Sequence, residues 1–206
     1  MLHWLKDLFV PKGLQSDKAI LDKCRRDEMI VPYVETSTKT NSRNERILSY
    51  GPSSYGYDLR LDNSFKVFHN RNPEVIIDPK NPTNLDLTYD DVTVTDKDYI
   101  LVPPNGFILG SSVERIKMPR NFTGVVLGKS TLARSAIECL TTPLEAGWEG
   151  HVTLEFSNAS HNPVKLYINE GCCQVLFFKG NECGTSYADR GGKYQNQAKG
   201  PIVSKV

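Results

Sequence analysis

Glu155 stands in the run Gly150-His151-Val152-Thr153-Leu154-Glu155-Phe156-Ser157, whose residues alternate in polarity. In a strand, that alternation sends Val152, Leu154 and Phe156 to one side and His151, Thr153 and Glu155 to the other. A carboxylate fixed on a rigid polar face can act as a general base if a cation keeps it ionised and a hydroxyl orients the water it activates. Both kinds of group occur upstream, in Gly128-Lys129-Ser130-Thr131-Leu132-Ala133-Arg134. A strand ending at Gly128 and a single helical turn opened by Ser130 would put Ser130 and Arg134 on one face, four residues apart. Lys129 and the free backbone amides of the turn would suit a phosphate group. The plainer alternatives are a solvated strand glutamate and an ordinary helix cap with a solvated arginine.

Two better-known chemistries fail on spacing. Gly128-Lys129-Ser130 resembles the end of a P-loop, but Thr123 occupies the position five before Gly128 where glycine is needed, and Val125-Val126-Leu127 reads as strand. Zinc-dependent base deamination needs an H-x-E motif and a P-C-x-x-C pair. His151 is followed by Val152 and Thr153, and Cys172 and Cys173 are adjacent, so neither motif is present. A deaminase with this sequence would activate water with a carboxylate and no zinc.

A chain of 206 residues is long enough to bury a core within one domain, spanning 1–206. Its 25 Lys and Arg against 24 Asp and Glu leave a net charge of +1, which exerts no general pull toward nucleic acid or membrane. Any bound anion must be gripped locally. The start, MLHWLKDLFVPKGL, is too short and too interrupted by Lys6, Asp7 and Pro11 for a signal peptide or membrane span, and reads as a packing arm or short helix. Five cysteines without a C-x-x-C pair argue against a disulfide framework or structural zinc and suit a reduced, cytoplasmic setting. Two glycosylation-like triplets, at Asn121 and Asn158, carry no weight without a secretion signal.

These residues must be positioned by a mainly β scaffold. Ser16 or Asp17 can cap the one long helical pattern, which runs to about Asp27 with Ala19, Ile20, Leu21 and Cys24 as its buried stripe. From Tyr50 onward, short apolar or alternating runs are separated by Pro, Gly, Asn and Asp, the pattern of an all-β sandwich or barrel. Strands are expected at 57–61, 65–68, 75–77, 99–102, 107–111, 124–127, 151–157, 164–168 and 173–178. The segment 79–91 reads as a surface loop. The tail after Cys183 has too few aliphatic residues for a core strand; it is either a disordered end or a mobile lid that brings donors to a ligand.

Taken together, SSYGYDLRL at 53–61, LVPPNGFILGSSVERIKMPRN at 101–121, LGKSTLAR at 127–134, TPLEAGWEGHVTLEFSN at 142–158, EGCCQVLFF at 170–178 and SYADRGGKYQNQ at 186–197 resemble the dCTP deaminase family, which is homologous to the trimeric dUTPases. The resemblance implies a distorted jelly-roll-like β-barrel with a short N-terminal helix, and a homotrimer with active sites at subunit interfaces. It further implies hydrolytic deamination of dCTP to dUTP and ammonia without zinc, with magnesium carried on the triphosphate. By position, Glu155 matches the family's proton-relaying glutamate, while Ser130 and Arg134 match residues around the cytosine and the catalytic water. The segment Lys129, Ser130, Thr131, Leu132, Ala133 and Arg134 would also touch phosphates, and Thr153, Leu154 and Glu155 the nucleoside. Gln174, Tyr187, Lys193 and Gln197 correspond to phosphate-side or lid contacts, in a lid spanning 184–206.

Three features depart from the common pattern: the extension 1–15, Asn196 with Lys199 lengthening the next turn, and Glu145 where dUTP-hydrolysing relatives carry aspartate. With Trp148, Glu145 favours a deaminase that stops at dUTP. The competing expectations are a bifunctional dCTP deaminase and dUTP diphosphatase or a dUTPase, and, from another class, a nucleotide-sensing relative that has lost turnover.

Overall fold

The computed structural model describes residues 11–205. Its elements, in chain order, are β1 (Gly13–Leu14), α1 (Asp17–Asp27), β2 (Ile30–Val31), β3 (Thr38–Thr40), β4 (Arg46–Ser53), β5 (Gly56–Arg60), β6 (Ser64–Phe68), a 3-10 helix (Pro82–Thr88), β7 (Tyr89–Thr93), β8 (Tyr99–Val102), β9 (Phe107–Lys117), β10 (Phe122–Gly128), α2 (Ser130–Ala133), β11 (Ile137–Leu140), β12 (Glu149–Asn158), β13 (Val164–Tyr167) and β14 (Gly171–Lys179). The packing arm expected over the first residues lies outside the described residues, apart from β1 and its neighbours.

Helix α1 starts after Ser16, in extended conformation at the N-cap position, and stops where Glu28 turns left-handed, its amide bonded to the Cys24 carbonyl. Its buried side is Ile20, Lys23 and Cys24, whereas Ala19 and Leu21 are only partly covered. Lys23 joins the buried stripe because its aliphatic stem can be covered while its ammonium meets Asp27 at 2.7 Å and the Phe122 ring at 5.6 Å.

The chain is mainly β, as expected. One six-stranded sheet runs β1-β14-β5-β4-β3 with β10 also paired to β14; a second runs β11-β12-β9-β6-β7 with β2 also paired to β9; β8 and β13 form a separate ribbon. Every pairing between these named strands is antiparallel, and an isolated parallel bridge joins Gly150 to Gln197. The jelly-roll-like character thus lies in two sheets sharing a core, and not in one continuous cylinder of paired strands among the described residues. Strict alternation on β12 sends Val152, Leu154 and Phe156 into that core, where they meet Tyr57 and Leu59 from β5 and Val175 and Phe177 from β14 in one hydrophobic cluster.

Eight of the nine expected strands form, several with longer bounds; 75–77 does not. Val75 instead bonds its amide to the Asn72 carbonyl at 3.0 Å in a turn, and Ile76 and Ile77 are exposed. Three apolar residues between Pro73 and Pro79 cannot supply the row of amides that a ladder needs. Burial pushes the Cys24 thiol up to about 12. All five cysteines are free thiols. None of the helices among the described residues is long and apolar enough to cross a membrane.

Candidate active site

Strand β12 lies between β11 and β9, with Glu155 opposite Leu140 on one side and Leu109 on the other. Its carboxyl opens into a cavity of about 450 Å³, whose walls include Thr153, Leu109, Thr141, Glu145, Trp148, Tyr187, Tyr194, Gln197, Ile202 and the loop residues Ile77 to Pro79. The lining combines apolar rings with convergent polar groups, the usual make-up of a small-molecule site. Glu155 is partly buried, and desolvation holds its carboxyl above the usual glutamate range. Such a carboxylate keeps more affinity for a proton than a solvated one, which suits a general base.

The tail is folded over this cavity. The amide of Tyr187 donates to the Ala146 carbonyl (2.8 Å), that of His151 to the Gln197 carbonyl (3.0 Å) and that of Ile202 to Thr153 Oγ1 (3.2 Å). The indole N–H of Trp148 donates to the Tyr194 carbonyl at 2.9 Å, and Gln197 donates through its side chain to Thr153 Oγ1. Two glycines make this docking possible. A methyl group on Gly147 (φ +80°) would sit 2.7 Å from Ser186 Cβ, and one on Gly150 (φ +152°) would sit 2.7 Å from the amide nitrogen of Gln197. The tail is thus ordered against the body and is not a disordered end.

Glu145, on the cavity wall, is ion-paired with Arg190 of the tail. Arg190 also stacks on the Tyr187 ring, at 5.4 Å. Tyr187 is fixed in turn by accepting the Tyr194 amide on its hydroxyl at 3.0 Å.

Of the residues singled out from the sequence, Thr153, Glu155, Tyr187 and Gln197 line the cavity. Leu154 points the other way, fully buried, so only its backbone can face a ligand on that strand. Lys193 lies on the tail, donating from its ammonium to the Lys205 carbonyl.

The other expected group forms a second cluster, on the other sheet. The turn α2 is there, and Arg134 Nε donates to Ser130 Oγ at 3.2 Å, which places the two side chains on one face. Leu132 packs into the core, while Thr131 and Ala133 are exposed. Lys129 is not directed freely outward: its ammonium pairs with Asp58 at 2.6 Å, and Gln174 donates to the same carboxylate at 3.0 Å and to Ser53 Oγ at 3.0 Å.

Within one chain, none of Lys129, Ser130, Arg134 and Gln174 lines the Glu155 cavity, and Arg134 is not among the groups acting on the Glu155 carboxyl. Among the described residues, desolvation is the influence resolved on the Glu155 carboxyl. Asp58 and Ser53 were not singled out from the sequence. For Asp58 a signal was present: it is the polar residue between the buried Tyr57 and Leu59, facing the same side of the sheet as Gln174.

A family model described as dCTP deaminase-like matches residues 14–180. The chain belongs to this family. The dCTP deaminase of Acinetobacter baylyi is 47% identical over 188 residues, covering 90% of this chain and 95% of that protein. The dCTP deaminase of Rickettsia akari is 47% identical over 186 residues, with the same coverage of 90% and 95%. Among solved structures, the 2'-deoxycytidine 5'-triphosphate deaminase of Agrobacterium tumefaciens matches with a TM-score of 0.57 at 16% identity. That match covers 82% of this chain and 49% of the longer chain, and it is a likeness of fold. The dCTP deaminase-like match spans Thr153, Glu155 and the whole second cluster and ends before the tail.

Proposed function

We propose that this chain is a dCTP deaminase that converts dCTP and water to dUTP and ammonia. The observation that carries the reading is Glu155, a desolvated carboxylate on the polar face of β12, opening into a base-sized cavity in a chain 47% identical to curated dCTP deaminases. With cytosine in that cavity, Glu155 takes a proton from a water as its oxygen bonds to C4. The carboxyl passes that proton to the ring nitrogen N3, then takes the remaining proton from the new C4 hydroxyl and delivers it to the amino group, so that ammonia leaves, C4 becomes a carbonyl and Glu155 is again ionised. Thr153 and the backbone of Leu154 hold the nucleoside, while Tyr187 and Gln197 close over it and exclude bulk water.

The second half of the site comes from another subunit of a homotrimer. The support is geometric: Ser130 and Arg134 are matched to the cytosine pocket by the family resemblance, yet they sit apart from Glu155 in one chain. A neighbour's Ser130 would orient the water, and its Arg134 would stabilise the charge that forms. The segment Lys129 to Arg134, with Gln174 and Lys193, supplies amides and cations for the triphosphate.

Magnesium would be carried by the phosphate oxygens. The donors proposed at that end of the site are cations and N–H groups, and no cluster of three or more His, Cys, Asp or Glu that could hold a metal occurs among the described residues. Bound there, magnesium would neutralise phosphate charge. The five free thiols support a reduced cytoplasmic setting.

Purified protein incubated with dCTP and magnesium should release ammonia and accumulate dUTP. Formation of dUMP and pyrophosphate would instead identify a bifunctional enzyme, and tight binding without turnover a nucleotide sensor. Pairing of Glu145 with Arg190 favours the first outcome, because it occupies the carboxylate standing where dUTP-hydrolysing relatives carry aspartate.

A further inference from the structure

The ion pairs of the tail fall into two groups. Near its start, Arg120 meets Asp189 at 2.7 Å and Arg190 meets Glu145. Beyond Gln197, Lys199 reaches back to the body of the protein and meets Asp62 Oδ1 at 3.0 Å. Asp62 follows β5, and its own amide donates to the Ser111 carbonyl at 2.9 Å. Ser111 Oγ, in turn, accepts the amide of Gly200 at 3.2 Å. Asp62 and Ser111 thus form a socket for Lys199-Gly200. This socket lies between the two points, Gln197 and Ile202, at which the tail bonds to the Thr153 hydroxyl.

We propose that Asp62 and Lys199 form a reversible latch that seats the last part of the tail over the cavity, and that both are positioning residues for the reaction. The pair is asymmetric. The Asp62 side chain is 6% exposed and its Oδ2 has no hydrogen-bond partner, whereas the Lys199 side chain is 58% exposed. Closing removes the carboxylate from water while only one of its oxygens gains a partner, so attraction and desolvation oppose each other. Opening restores water to both oxygens.

A permanent brace in this protein has a different form. Glu114 is fully buried and takes the Arg60 side chain on one oxygen at 2.7 Å and the Arg60 amide on the other at 2.9 Å. The Asp62 socket, by contrast, leaves an oxygen to be satisfied when the tail lifts. A lid that must open for every substrate and product needs this kind of contact. Because Gln197 and Ile202 both end on Thr153, releasing Lys199 loosens the tail beside the residues that contact the nucleoside.

The kinetic part of this proposal rests on the dCTP deaminase reading; the structural part does not. Amide hydrogen exchange on the full chain tests the latch directly. Lys199→Ala, on an exposed side chain, should speed exchange at Gly200 and Ile202 by about fivefold or more while leaving Tyr187 unchanged. Lys199→Arg should restore protection. If only the closed form binds tightly, KM for dCTP should rise about threefold to tenfold with kcat within about twofold. Asp62→Asn should do the same, and the double variant should be no worse than either single one, as expected for two residues acting as a unit.

Unchanged exchange in Lys199→Ala, or additive effects in the double variant, would overturn the latch. Faster exchange with unaltered KM would overturn its role in catalysis. A wild-type chain that releases no ammonia from dCTP would sink the deaminase reading and leave the exchange measurement to decide the latch.

Discussion

At Glu155, the property that suits catalysis is unfavourable for folding. Burial raises its carboxyl, so the folded state prefers the protonated form and is strained when Glu155 is ionised. Because the folded value lies above the unfolded one, the penalty is fully developed above the folded value and vanishes as pH falls below the unfolded one. Replacing Glu155 with Gln should therefore lower turnover of dCTP by about a thousandfold or more while leaving nucleotide binding measurable by calorimetry. The same change should raise Tm at neutral pH by about 1–2 °C, a small effect because the site is partly solvated, and the gap should close as the pH is lowered. Loss of the base form as pH falls should give kcat/KM an acid limb, which the residual activity of the Glu155→Gln variant should lack. Turnover retained in the Glu155→Gln variant would remove Glu155 as the base.

Strand elements were legible wherever a run both alternated and fed the core. The polar-face and core-face assignments on β12 hold residue by residue, and the turn α2 places Ser130 beside Arg134 as the spacing implied. β4 was missed because Gly51-Pro52 reads as a turn. The structure accommodates both at its end, with Gly51 opposite Asp58 and Pro52 opposite Tyr57. β11 was missed because Glu138 and Cys139 break its pattern, and its strand character comes from pairing with β12. The run 75–77 was over-read, since three apolar residues look alike whether they enter a sheet or turn at the surface with only Ile77 on a cavity wall.

The seat of the tail could not be read at all. It depends on the absence of side chains at Gly147 and Gly150, next to residues some forty positions away. Gly147→Ala should cost about 1–3 kcal/mol in urea unfolding, from the left-handed backbone and the displaced Ser186 together. It should also raise KM for dCTP more than it lowers kcat. A variant as stable and as tight-binding as the wild type would show that the tail seats elsewhere.

For the whole molecule, the separation of the two clusters has a numerical consequence. If Glu155 of one subunit works with Arg134 of the next, two inactive variants can repair each other. Glu155→Gln mixed with an equal amount of Arg134→Ala, after dissociation and reassembly, should recover about a quarter of the wild-type activity, because one interface in four pairs two intact residues. Light scattering should give three times the mass of 23.1 kDa. A monomer of full activity, or no recovery on mixing, would place the complete site within one chain. The sequence could indicate the residue types at the site but not which copy contributes each of them.

The seat made by Gly147 and Gly150 belongs to the body of the protein, whose hydrophobic cluster is built almost wholly from residues before 180. It therefore awaits an occupant without needing that occupant to be attached. A chain ending near residue 183 should accept a synthetic peptide copying 184–205 and regain activity in proportion to its occupancy. Covalent attachment supplies an effective concentration in the millimolar range, so the free peptide should be needed at about that level. The lid is then equivalent to a weak ligand that the protein carries with it, and a small molecule shaped like Ser186 to Gln197 would be a competitor for the lid and not for dCTP.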